Sequence, residues 1–189
     1  MIILLDINPH QKTVLGVELS VTEGIIEKLR EPGTSFSIIT FGSKPPTLVR
    51  SSVHAEEAIA AVSDVSLEQN REKYFGVYFY DALKLALDQS GNDAVQKSIV
   101  VISEGNDYFP RKTFKETVSR MQHAQTACHA AMVASHSFYG TKGIQRYGFD
   151  LRRLVGKTCG QYVEIGGSKK KVPRAADRIA ENIHNSRWR

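Results

Sequence analysis

Two acidic residues stand where two apolar runs end. Asp6 follows Ile2-Ile3-Leu4-Leu5, and Glu104 follows Ile99-Val100-Val101-Ile102-Ser103. Each is followed by a short polar stretch and then by a helical pattern. In an open parallel sheet, ligands gather outside the carboxyl ends of the strands. A pair of carboxylates there could hold a cation or meet a partner. The same residues also read as plain turn chemistry: Asp6 and Asn8 suit a cap or turn, and Glu104-Gly105-Asn106-Asp107 is turn-like.

The elements that must position them alternate between strand and helix. Ile2–Leu5 is a continuous apolar run, as expected of a strand covered on both faces. Val14, Val17, Val21, Ile25 and Leu29 recur at helical spacing, and Pro32-Gly33 stops that helix. Phe36–Phe41 reads as a second strand. Thr47–Val53, beyond the turn Gly42–Pro46, reads as an antiparallel edge strand. A short helix over Ala55–Val62 and a polar loop lead to Tyr74–Tyr80. A helix carrying Phe79, Leu83, Ala86 and Leu87 follows. Ser98–Ser103 and Thr126–Ala134 read as strands around a helix over Lys112–Ala124. His136–Tyr147 reads as a loop, Phe149–Lys157 as a short helix, Gln161–Ile165 as the last strand and Lys170–Asn185 as an amphipathic helix. This alternation predicts a three-layer, doubly wound α/β fold with helices on both faces of a mostly parallel sheet.

The chain has 189 residues, 41% hydrophobic and 24% charged, which fits a single globular domain over 1–189. It lacks an apolar run of the ~18 residues that span a bilayer. Its start has no basic region ahead of the apolar stretch, so it reads as a core strand rather than an export signal. A chain that opens on a core strand is expected to be a fragment of a longer protein. An export signal upstream would put it outside the cytoplasm; otherwise the compartment is open. The net charge is +5, with much of the excess between Arg152 and Arg189. That cluster reads as a solvated basic face, with binding of nucleic acid or an anionic surface as the alternative. The aromatic residues are not interleaved with it as in a base-stacking platform, so nucleic acid is the secondary reading.

The order of IILLDINPH, FSIITFGSKP, VYFYDALKLAL, SIVVISEGNDYF and GQYVEIG resembles a von Willebrand factor type A domain, and more narrowly the bacterial group of such domains described as related proteins of Acidobacteria. The resemblance covers nearly the whole chain. It implies a six-stranded Rossmann-like sheet with one antiparallel edge strand. It also implies an adhesion-type, non-enzymatic module with a metal-ion-dependent adhesion site. In the family that site reads Asp-x-Ser-x-Ser, with a Thr from a later loop and an Asp after the fourth strand.

Carried over residue by residue, the site is degenerate. Asp6 keeps the first Asp, while Asn8 and His10 replace the serines. Val77 replaces the Thr and cannot ligate. Glu104, with Asp107 three residues on, replaces the late Asp. Oxygen ligands suit Mg²⁺ or Ca²⁺, whereas His10 prefers softer ions such as Zn²⁺. No cofactor is therefore expected, with weak Mg²⁺ or Ca²⁺ binding, or a repurposed transition-metal site, as the alternatives. Partner contact is expected through Tyr78, Phe138, Tyr139, Arg146 and Tyr147, in segments that the fold brings to the Asp6 end. The implied strand order would put Cys128 and Cys159 at the opposite, amino-terminal end, close enough for a disulfide.

Other chemistry is not encoded in recognisable form. No Gly-x-Ser-x-Gly, Walker motif or Gly-x-Gly-x-x-Gly is present, and no two histidines have ligand-pair spacing. A hydrolase would have to rest on His10 and Glu104 alone.

Overall fold

The computed structural model describes residues 1–8, 14–66, 78–90, 97–103, 111–133, 144–166 and 168–185, the side chains of 111–112 and 144–150 excepted. Its strands are β1 (Ile2–Asp6), β2 (Phe36–Phe41), β3 (Thr47–Val53), β4 (Lys97–Ser103), β5 (Thr126–Met132) and β6 (Tyr162–Glu164). They form one sheet in the order β3-β2-β1-β4-β5-β6. All pairings are parallel except β2 with β3. The helices are α1 (Leu15–Lys28), α2 (Ala55–Ser63), α3 (Phe79–Gln89), α4 (Arg111–His123), α5 (Ile144–Lys157) and α6 (Val172–Asn185). The expected doubly wound fold with an antiparallel edge strand is the observed one.

Side-chain alternation along the central strands makes two cores. Ile3 and Leu5 of β1, with Val100 and Ile102 of β4, join Val21, Ile25, Ala58 and Ile179 of α1, α2 and α6. Ile2 and Leu4, with Ile99 and Val101, join Phe79, Leu83, Met121 and Leu154 of α3, α4 and α5 on the opposite face. Both faces of β1 and β4 are apolar because both are covered, which is why these strands read as unbroken runs. α1 meets α6 closely: a Cβ on Gly24 would lie 3.2 Å from Ala176 Cβ. At the β3 edge the register shifts, and Ser52 takes a positive φ of 53° with its N–H on Ser37 Oγ. Such an irregularity twists an edge strand away from further pairing.

Helix α5 begins earlier than the expected Phe149. The backbone is already helical at Ile144, in what reads as loop. Gly148 looks like a breaker, but a single glycine costs a helix only about 1 kcal/mol.

Cys128 and Cys159 are free thiols, not a disulfide. Cys128 is buried in the core that includes Leu151, Leu154 and Val155. Cys159 is exposed just past the end of α5, in the left-handed region with φ 57°. The Cys128 side chain is thus committed to the core and Cys159 to the surface. Burial pushes the Cys128 thiol up to about 12.

Candidate partner-binding site at the carboxyl end of the sheet

Asp6 is the last residue of β1 and is wholly buried. Two hydrogen bonds from described residues reach its carboxylate. Oδ1 takes the Asn8 N–H at 3.0 Å, the closed turn that an Asp two residues ahead of a backbone donor forms. Oδ2 takes the Ser103 hydroxyl at 2.7 Å. Ser103 ends β4, the neighbour of β1, and its own carbonyl accepts the Val133 N–H at 2.9 Å. A charged acceptor strengthens both bonds to the carboxylate. The chain leaves β1 with the Ile7 N–H on the Phe41 carbonyl, which ties β1 to the end of β2.

The next strand end carries the start of α3. Tyr78 donates its N–H to the Gly42 carbonyl at 3.0 Å, just beyond Phe41. Phe41, the register partner of Asp6, packs its ring 5.6 Å from that of Phe79, which in turn lies 5.7 Å from Tyr80. Tyr78 is therefore tethered by its backbone next to a packed aromatic cluster. It is 41% exposed and is the exposed large hydrophobic residue among the described ones.

Of the residues singled out in the sequence, the structure brings Asp6 and Asn8 together, with Tyr78 at the end of the adjacent strand. Arg146 and Tyr147 fall in the first turn of α5, the helix that follows β5. Their side chains lie outside the described residues. His10, Val77, Glu104, Asp107, Phe138 and Tyr139 also lie outside them. Ser103 was not anticipated. A serine ending an apolar strand gives no sequence signal, and only the β1–β4 register shows that it reaches Asp6.

In kind, the oxygens that the described residues bring together here, the Asp6 carboxylate and the Ser103 hydroxyl, suit a hard cation. Among the described residues no group of three or more His, Cys, Asp or Glu could hold a metal.

No family model and no curated protein matches the chain. Solved structures do. The SpRpn10 VWA domain is 14% identical with a TM-score of 0.62, covering 93% of this chain and 92% of that one. The chain has a von Willebrand factor type A fold. An aerotolerance-related membrane protein from Bacteroides fragilis is 13% identical, with a TM-score of 0.67 and 98% of each chain covered. The pilus adhesin SpaC from Lactobacillus rhamnosus GG is 10% identical with a TM-score of 0.66, covering 96% of this chain and 29% of that one. These likenesses carry the type A fold expected from the order of the sequence motifs. Among the described residues no helix is long and apolar enough to cross a membrane.

Proposed function

We propose that the chain is a non-enzymatic protein-binding module whose contact face is the carboxyl end of the sheet. The observation that carries this reading is Tyr78, an exposed aromatic tethered to Gly42 at the same strand end as the buried Asp6–Ser103 pair. Tyrosine is a favoured anchor because it covers much area at little entropic cost. A pilus adhesin and a VWA domain among the similar structures support an interaction role. The metal site is degenerate in this reading. Asp6 spends its carboxylate on holding Ser103 and the Asn8 turn, and the partner contact does not depend on a cation.

Affinity capture from the source cells tests this. Tagged wild type, Tyr78→Ala and Asp6→Asn are compared with Glu31→Gln at the opposite end of the sheet, each with and without chelator. The expected result is a partner held by wild type and Glu31→Gln, lost from Tyr78→Ala and indifferent to chelator. The same proteins captured by all variants would overturn the face assignment. Loss on chelation would restore a working metal site.

A further inference from the structure

We propose that the basic ridge formed by the Lys169–Lys171 turn with Arg174 and Arg178 of α6 docks an acidic segment of the partner protein. This rests on the binding-module reading above and specifies the chemistry of the partner.

Lys169–Lys171 is a single 3₁₀ turn entering α6, and all three lysines are exposed. α6 turns Val172, Ala175, Ala176, Ile179 and Ala180 into the core. That leaves Arg174 and Arg178, four residues apart, exposed on the outer side. The acidic residues of the same helix make no ion pair with them among the described residues. Asp177 is bonded to Lys28 of α1 at 2.7 Å, and Glu181 adds its charge at the same lysine.

Four other arginines are engaged by a carboxylate or a ring, while exposed Arg50 bonds only the Val49 carbonyl among the described residues. Arg30 pairs with Glu56, and Arg120 with Asp88. Arg152 lies over the Tyr162 ring, and Arg153 over that of Phe114. Among the described residues, the lysine turn, Arg174 and Arg178 make no ion pair. The lysines also crowd the positive end of the α6 dipole, an arrangement that local electrostatics disfavours. A local rule broken without compensation inside the chain points to use outside it.

Position links the ridge to the proposed face. β6 ends in register with β5 (Met132 with Glu164), and β5 with β4 (Ser103 with Met132). The lysine turn follows β6, so it stands at the same end of the sheet as Asp6. From Lys170 to Arg178 the ridge runs about 12 Å at helical rise. About four residues of extended chain would span it. A protein segment is favoured over single-stranded nucleic acid because no exposed aromatic side chain on α6 offers a base a stacking partner.

The test measures fluorescence anisotropy of a labelled glutamate decapeptide and of a labelled oligothymidylate with the full chain at ~50 mM salt, where screening is weak. Wild type is expected to bind the peptide. Arg174→Glu with Arg178→Glu, and separately Lys170→Glu with Lys171→Glu, should each weaken it at least about tenfold. Lys84→Glu with Lys115→Glu, on α3 and α4, changes net charge equally and should leave it unchanged within about twofold. No peptide binding, equal weakening by the control pair, or tighter binding of the oligonucleotide would each overturn the proposal. Peptide binding indifferent to the ridge, with partner capture still lost in Tyr78→Ala, would sink the ridge and keep the binding face. The converse result would keep the ridge and sink the face.

Discussion

Ser103 donates its hydroxyl proton to the buried Asp6 carboxylate at 2.7 Å, joining the ends of β1 and β4 across ninety-seven positions of sequence. Removing the hydroxyl leaves a buried carboxylate oxygen short of a strong donor. Ser103→Ala should therefore cost about 2 kcal/mol. Urea unfolding of Ser103→Ala, Asp6→Asn and the double variant measures the coupling. A coupling energy near zero would mean that the bond contributes nothing to stability.

His129 predicts how stability responds to acid. It lies wholly buried in β5, and its Nδ1 accepts the Gln161 N–H at 3.2 Å. Nδ1 is then bare, so the neutral ring carries its proton on Nε2. Nε2 is buried and finds no acceptor among the described residues. Desolvation lowers the ring's pKa to about 4. The unfolded chain, titrating near ~6.5, binds the proton first, so stability is present above that pH and falls as pH drops toward 4. The loss should reach about 2 kcal/mol at pH ~5 and about 3 kcal/mol below pH ~4. Denaturant midpoints across this range check it. His129→Asn, which keeps an acceptor for Gln161, should flatten the dependence; an unchanged slope would assign the effect elsewhere.

Gly160 and Gly156 should respond oppositely to alanine. The end of α5 is locked to β5 at one residue: Thr158 Oγ1 accepts the Cys128 N–H at 3.2 Å, and Gly160 presses on the Cys128 carbonyl. A Cβ at Gly160 would overlap that carbonyl, which is backbone and cannot swing away. Gly160→Ala should cost about 2–3 kcal/mol, a fall in Tm of roughly 5–10 °C. Gly156 lies inside α5 with open space around its Cα, so Gly156→Ala should stabilise by about 0.5–1 kcal/mol. Thermal scans of the two variants decide, and a tolerated Gly160→Ala would show that α5 can slide.

Sequence made the scaffold legible where burial is two-sided. β1 and β4 announce themselves as unbroken apolar runs, and the bounds of β2 and β3 follow from Pro32-Gly33 and Gly42–Pro46. The start of α5 is obscured by Gly148, which costs a helix little. The site was less legible because its contacts are non-local. Leu5 lies opposite Ile102, so Asp6 and Ser103 are neighbours one step further on. Nothing in either segment states that pairing. The tethering of Tyr78 to Gly42 is likewise a backbone bond between distant residues, invisible to residue type.

The two cysteines make the last difference between expectation and structure measurable. Cys159 is exposed, whereas Cys128 is buried and its thiol is held near 12 by desolvation. The thiolate is the reactive form, so only Cys159 should react in the native protein. Titration with a disulfide reagent at pH ~8 should count one thiol before denaturation and two after it, without added reductant. No thiol in either state until reductant is added would mean that the two are bonded. That would require Cys128 to leave the core beneath α5, and the region from Thr158 to Gln161 would have to repack with it.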